Sequence, residues 1–292
     1  MAGNVEVAHR VQPTSSRLTL PKLGEGFAQV VPALILILLL FNVPLVIMLG
    51  WSFYPLETPL ANYEQIFTRS IYLKVIGNTF YIAALTTVAC CLLGYPLCYW
   101  MWRLSPRWRL IIASIVVLTF WVSILVRTYA WIVILGNDGI VNRLLLTWGL
   151  IDSSVSFLYN QTGVIIGTTN VLLPFLVLPL FAAMMRLDRR ILLAAETLGA
   201  PKGVIFWKIF FPLTLPSLAA GAILIFILTL GFFITPAILG GGRVPMIANM
   251  MDLLINRLPR WELAAAISGV LLVFTMIFFA GYQWLNNRQQ AS

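Results

Sequence analysis

Apolar residues along this chain gather in runs of about 20 or more, the length a helix needs to cross ~30 Å of hydrocarbon. These runs predict spans at residues 28–50, 76–101, 109–134, 163–185, 213–239 and 263–285. Residues 51–75 mix aromatic and polar side chains, as an interfacial segment does, and lead into Asn78 and Thr79 at the start of the second span. Residues 138–158 carry Ile140, Val141, Leu144, Leu145, Leu146 and Trp148, which suit a short surface helix, and a similar stretch from Met246 to Leu258 precedes the sixth span. The pattern predicts an all-α polytopic membrane protein of about six spans. Gly94, Pro96, Gly167, Pro174, Pro179, Pro216, Gly221, Gly231 and Pro236 fall inside the spans, where bent or unwound helices are tolerated if neighbours satisfy the freed backbone.

Composition agrees with that pattern. The chain is 60% hydrophobic and 10% charged, with a mean hydropathy of +0.93, and no soluble core of 292 residues could hide so much apolar surface. The first run follows a polar segment without a small-residue cleavage site and reads as a retained anchor. Six spans put both termini on one side, and the basic residues say which. Arg10, Arg17, Lys22, Arg103, Arg107, Arg109, Arg186, Arg189, Arg190, Lys202, Lys208 and Arg288 collect on one face. Arg69, Lys74, Arg127, Arg143, Arg243, Arg257 and Arg260 fall on the other, with most of the acidic residues. Lys and Arg accumulate in the cytoplasm, so both termini are expected there. The expected organisation is a cytoplasmic tail at 1–27, a transmembrane domain at 28–285 and a second cytoplasmic tail at 286–292. The net charge of +9 reports topology and anionic lipid, and nucleic acid is a poor explanation because the charges are spread over separate loops.

Several chemistries have no residues to carry them. Every Asp and Glu falls outside the predicted spans, which weakens a proton- or sodium-coupled carrier without eliminating it. His9 is the only histidine and sits in the tail, so neither a His-containing triad nor a membrane zinc site can be built. Cys90, Cys91 and Cys98 share the second span and read as small packing residues. No GxxxxGK[ST] loop occurs, so transport driven by ATP needs another subunit to bind the nucleotide.

One loop stands apart, RLDRRILLAAETLGAPKGVIFWKIFFP from Arg186 to Pro212. Ile191 to Leu198 is a good helix former, Gly199 suits a left-handed cap, and Pro201 suits the first turn of a new helix. A helical hairpin is therefore expected to project from the membrane between spans four and five. Ala194 and Ala195 keep one face small for the approach of another protein. Connectors between antiparallel helices can be far shorter, so a long, ordered, basic loop implies a partner.

Here the sequence resembles the permease subunits of binding-protein-dependent ABC importers. Their cytoplasmic signature is Glu-Ala-Ala, three residues, Gly, nine residues, then Ile-x-Leu-Pro. Ala194, Ala195, Gly199, Ile209 and Pro212 match at every spacing, while Leu193 replaces the glutamate and Phe211 the leucine. The Asn-Thr opening of span two, FWVSILVRTYAWIVILGNDGIVN, YNQTGVIIGTTNVLLPFLVLPLF and FITPAILGGGR look like the branch that includes spermidine/putrescine permeases.

The resemblance implies a multi-pass subunit of the bacterial inner membrane. Two permease subunits, here a heterodimer, form the pathway over a cytoplasmic ABC ATPase dimer, and a periplasmic solute-binding protein delivers the solute. ATP and Mg would be bound by the ATPase, leaving this chain without cofactor, metal or catalytic residue. The helix through Ala194, Ala195 and Gly199 would sit in a groove of the ATPase and drive alternating access. Glu196, three residues after Leu193 and so near the same helical face, is expected to stand in for the missing glutamate.

Solute contacts read less directly. Trp121, Tyr129, Trp131 and Phe233 offer aromatic faces to a polyamine or related small amine, or serve as interface anchors and packing. Arg127 faces the pathway or snorkels outward as span three ends, and Asn170 is a buried polar candidate or an interhelical hydrogen bond. Without membrane carboxylates this subunit offers a polyamine no ion pair, so opines and other amines stay open. The competing reading is an ion- or proton-coupled carrier or channel working without an ATPase.

Overall fold

The computed structural model describes residues 23–290, with side chains from 30 to 283. The expected tail at 1–27 falls almost wholly outside the described residues, as do the last two residues of the chain. The helices are α1 (Leu23–Trp51), α2 (Ala61–Thr68), α3 (Ser70–Arg103), α4 (Pro106–Leu118), α5 (Ile124–Leu135), α6 (Ile140–Thr147) and α7 (Gln161–Met185). There follow α8 (Arg189–Thr197), α9 (Lys202–Ile205), α10 (Phe211–Leu230), α11 (Ile234–Leu239), α12 (Ile247–Asn256) and α13 (Trp261–Gln290). Helix α13 thus runs on into the expected second tail. The chain divides into two units at Met48. The first carries most of α1, an almost unbroken apolar helix whose described side chains are nearly all exposed. The second carries everything else.

The centre of the second unit is the packing of α3, α7 and α10 on one another. Helices in a membrane gain little from hydrophobic exclusion and associate through close packing, which small residues permit. Leu176 of α7 is fully buried and wedges between two glycines: a Cβ on Gly94 of α3 would lie 2.8 Å from its Cδ2, and one on Gly221 of α10 would lie 2.5 Å from its Cδ1. Cys90, Leu172 and Ile225 surround this contact. The cysteines behave as the small packing residues expected of them. Cys90 and Cys98 are buried free thiols, with Sγ 3.8 Å from the Thr169 carbonyl and 3.4 Å from the Val177 carbonyl of α7. Toward the Arg103 end, Tyr95, Met101, Leu180, Met184 and Phe210 continue the core, and the Tyr95 hydroxyl meets Thr214 Oγ1 at 2.8 Å between α3 and α10.

At the opposite end, polar side chains tie the helices to the connecting segments. Asn78 Nδ2 donates to the Pro245 carbonyl at 2.8 Å, Gln161 Nε2 donates to Asn78 Oδ1 at 2.9 Å, and the Ile247 amide donates to Thr79 Oγ1 at 3.0 Å. The Asn-Thr opening therefore clamps α3 to α7 and to the turn before α12. The two predicted surface helices appear as α6, which covers only the first half of 138–158, and α12, which lies within Met246–Leu258 as expected.

Two of the predicted continuous spans are broken. Residues 109–134 form α4 and α5 with a 3-10 turn at Thr119–Trp121 and an extended Val122–Ser123 between them. Phe120 sets this break against α7 through an edge-on contact with Phe175, ring centroids 4.9 Å apart. Length and hydropathy alone would also allow 124–147 as a crossing helix. That stretch is interrupted by the turn at Gly136–Gly139, beyond which α6 is anchored: Asn142, fully buried, donates to the Gly136 and Val155 carbonyls at 3.0 Å and accepts from the Val155 amide at 2.9 Å. Helices α4 and α5 together fill the expected third span, with helical rise of roughly 37 Å between them at 1.5 Å per residue. Span five breaks likewise. Helix α10 ends at Leu230, Gly231 caps it, and α11 begins at Ile234.

Asn142 carries the connection between α5 and α7, so Asn142→Leu is expected to destabilise the purified subunit by at least about 2 kcal/mol, since three backbone groups lose their partner in a buried site. Thermal unfolding in detergent, with proteolysis at 137–155 as the local readout, measures this. An unshifted midpoint and an uncut segment would contradict it.

Candidate functional site

The basic residues at the Arg103 end lie on two connections, the short turn from α3 to α4 and the long one from α7 to α10. In the first, Arg109 folds back and donates to the carbonyls of Met101, Trp102 and Leu104 at 3.0 to 3.4 Å, satisfying the C-terminal carbonyls of α3. In the second, Asp188 caps α8 by accepting from the Arg190 amide at 2.9 Å. The end of α8 closes as the sequence predicts. Gly199 sits at φ +82, its amide donates to the Glu196 carbonyl at 2.9 Å, and the Ala200 amide donates to the Ala195 carbonyl at 3.0 Å. Pro201 stands just before α9 as its cap rather than within its first turn. A single π-helical turn at Phe206–Phe210 then joins α9 to α10.

No residue of α8 is buried. Ile191 and Leu193 are exposed on opposite sides of α8, and Leu198, just past its end, is 87% exposed, so the hairpin shows apolar side chains on more than one face. Ala194 is exposed and Ala195 half-buried; Ile209 is half-buried and Pro212 exposed at the far end of the hairpin. Leu193 and Glu196 do share a face, and that face lines a cleft of about 420 Å³ between α8, the end of α3 and the π-helical turn.

The pathway candidates divide. Trp121, at the break in span three, is 85% exposed, and Tyr129 is exposed on α5. Arg127 and Trp131 are half-buried on the same helix. Phe233 lies at the break in span five, where its carbonyl accepts from Asn249 Nδ2 at 3.3 Å. Asn170, expected to be buried, is exposed on α7, because the neighbouring Thr169 and Val171 take the inward-facing positions.

Thr128, Thr235 and Asn249, near these breaks, were not legible as candidates. Thr128 of α5 and Thr235 of α11 are fully buried and meet at 3.4 Å across 107 residues of sequence. Arg127 Nε and Asn249 Oδ1 are buried without a hydrogen-bond partner among the described residues. The fragments beyond the two breaks, α5 and α11, therefore pack on each other and leave polar groups unspent beside the discontinuities. A single threonine or asparagine in an apolar run gives no local sign of this.

The architecture is that of an importer's membrane-spanning subunit, and the chain belongs to the binding-protein-dependent transport system inner membrane component family, whose model matches residues 94–290. It is 34% identical over 237 residues to the spermidine/putrescine transport system permease protein PotB of Haemophilus influenzae, covering 80% of this chain and 82% of the relative. It is 31% identical over 237 residues to PotB of Escherichia coli K12, covering 81% and 86%. In fold it is similar to a chain of the bacterial alginate ABC transporter in complex with alginate pentasaccharide-bound periplasmic protein, with a TM-score of 0.71 at 18% identity over 91% of this chain and 94% of that one. The chain is a multi-pass permease subunit of an ABC importer in the inner membrane.

Proposed function

We propose that this chain forms half of the pathway of an ATP-driven importer for a polyamine or related small amine. It pairs with a second, different permease subunit, receives solute from a periplasmic binding protein and takes its drive from a cytoplasmic ATPase dimer that docks on α8. The basic end, with both termini, faces the cytoplasm by the excess of Lys and Arg there. ATP and Mg are held by the ATPase, and this chain is non-catalytic.

The observation that carries this reading is α8 itself: a short helix closed at both ends, with no buried residue and with Ile191 and Leu193 exposed along it and Leu198 at its end. A short helix that buries none of its own side chains and leaves these apolar ones exposed is suited to a partner surface. Leu193, Ala194, Ala195, Glu196 and Gly199 form the docking helix, and Ile209 and Pro212 begin the return to α10. Because α9, the π-helical turn and α10 follow without a flexible joint, a push on α8 reaches span five directly.

The solute reading rests on the resemblance to the PotB proteins and on the polar seam at the two broken spans. Discontinuous helices near the midplane free backbone groups for a solute. Arg127, Tyr129, Trp131 and Phe233 flank those breaks, and Trp121 marks one of them, with aromatic faces that hold an amine by cation–π attraction of up to about 2 kcal/mol when desolvated. Arg127 repels a cation that passes close by. The carboxylate that pairs with the amine therefore comes from the second permease subunit or from the binding protein.

The test is uptake into proteoliposomes holding both permease subunits and the ATPase, with the binding protein and labelled spermidine outside. ATP-dependent, saturable accumulation is expected. Flux through this chain alone, without ATP, would instead make it a carrier or channel, and uptake of an anionic solute in place of spermidine would overturn the amine assignment.

A further inference from the structure

The cleft beside α8 has a second feature that docking to another protein does not use. Tyr99 and Trp102, on the last turn of α3, stack with ring centroids 6.2 Å apart and planes 16° from parallel. Each ring carries a guanidinium. Arg103 lies 5.8 Å from the Tyr99 centroid and Arg189 lies 5.3 Å from the Trp102 centroid. Two arginines from different helices are thus laid on adjoining aromatic faces, and both line the same cleft, joined by Lys202. Glu196 is the one carboxylate on its wall, leaving an excess of two positive charges (three basic residues against one acidic).

Stacking on an aromatic face leaves the edge of a guanidinium free, and that edge presents the planar N–H donors that match phosphate oxygens. Holding two such groups in place removes much of the ordering cost that flexible surface arginines bear on binding. The cleft also lies at the right depth. Trp207, 65% exposed, is next to the cleft-lining Phe206 on the π-helical turn, and Trp108, 61% exposed, lies in the first turn of α4 just after Arg103; exposed tryptophans mark the headgroup level of a bilayer.

We propose that this cleft binds a phosphate-bearing anion, through Arg103, Arg189 and Lys202, and so ties α8 to the end of α3. Two sources supply that chemistry at the membrane surface: the headgroup of an anionic phospholipid and inorganic phosphate. The site does not require α8 to engage an ATPase.

The test uses the whole transporter, permease pair with ATPase, in nanodiscs of phosphatidylcholine alone or mixed with phosphatidylglycerol. Native mass spectrometry reads retained lipid. Phosphatidylglycerol is expected to stay with the wild type and with Arg107→Gln, which removes an exposed charge from the same face outside the cleft. The Arg103→Gln/Arg189→Gln variant is expected to hold it at least about tenfold more weakly, having lost its charge-assisted donors. In phosphatidylcholine alone, inorganic phosphate is titrated while hydrogen exchange of 189–210 is followed. Protection there, without phosphatidylglycerol retention, assigns the site to free phosphate. Should the double variant fail to assemble, Lys202→Gln, at an exposed position, gives the same comparison. Equal retention in wild type and variant, or neither lipid nor phosphate bound, overturns the proposal. Loss of the ATPase from the variant with lipid retention unchanged also overturns it, by giving the cleft to the ATPase.

Discussion

Gly199→Val is expected to abolish most ATP-dependent uptake while leaving the subunit in the membrane at ordinary abundance. Gly199 holds φ +82, where a side chain costs about 1–2 kcal/mol and a β-branched one sits at the upper end. Its amide and that of Ala200 close the end of α8 on the Glu196 and Ala195 carbonyls. With valine there the chain leaves the left-handed region, both bonds are lost, and α8 no longer points where a docked ATPase requires it. Nothing in the membrane core touches Gly199; a Cβ built there meets no atom within 4 Å. The damage is therefore to backbone direction and not to packing. Uptake should fall at least about tenfold, the factor that 1.4 kcal/mol represents. Gly199→Asn, which tolerates the left-handed region, should keep most of it. Uptake and ATPase co-isolation measured in both variants decide the matter, and full activity in the valine variant would sink the coupling role. Glu196→Ala belongs to the same experiment. If Glu196 replaces the glutamate that Leu193 displaces, solute-stimulated ATP hydrolysis falls in that variant with the complex intact.

What the sequence disclosed and what it hid follow from the range of the interactions involved. The hairpin was legible in outline because its determinants are local: a helix-forming run, a glycine able to go left-handed and a proline at the next helix, although Pro201 caps α9 instead of entering its first turn and the Asp188 cap was not read. The spans were legible because each is long and apolar. The break in span three was not. No glycine or proline lies between Trp108 and Leu135, and the chain turns at Phe120–Ser123 where Phe120 finds Phe175 on α7. The break in span five had a local mark in Gly231, yet glycines at 94, 167 and 221 sit inside unbroken helices, so a glycine alone does not tell a break from a close approach. Asn170 was misplaced for a related reason. Polarity suggested burial, but which face of a uniformly apolar helix turns inward is decided by its neighbours, and here small Thr168 and Thr169 occupy the buried positions. The Thr128–Thr235 contact and the placing of Arg189 on Trp102 join residues far apart in sequence and had no local signal.

The packing of Leu176 leads to an expectation about assembly that coupling variants would not show. Gly221→Val places a branched side chain against Leu176, whose Cδ1 would already lie 2.5 Å from the first added carbon. Overpacking of this kind costs about 1–3 kcal/mol where a side chain can shift. Leu176 cannot shift freely, since its other methyl group, Cδ2, packs on Gly94 so closely that a Cβ there would lie 2.8 Å from it. Gly221→Val is thus expected to reduce folded subunit in the membrane several-fold. Leu176→Ala alone should also destabilise, by about 2–5 kcal/mol for the cavity left in a closed site. The double variant is the informative one. Valine at 221 grows into the space that Leu176→Ala opens, so the two losses should partly cancel and the pair should be more stable than the sum of the single changes allows. Residues in contact typically show such coupling at about 0.5–3 kcal/mol. Detergent stability of the purified subunit, followed by size-exclusion after heating, measures all three variants. Strict additivity would mean that α7 does not wedge between α3 and α10 at this point. This contact lies level with the break in span three, where Phe120 meets Phe175 beside Leu176, and α10 runs on from it to the break in span five, so a rigid wedge here holds both discontinuities against the unbroken α3 and α7.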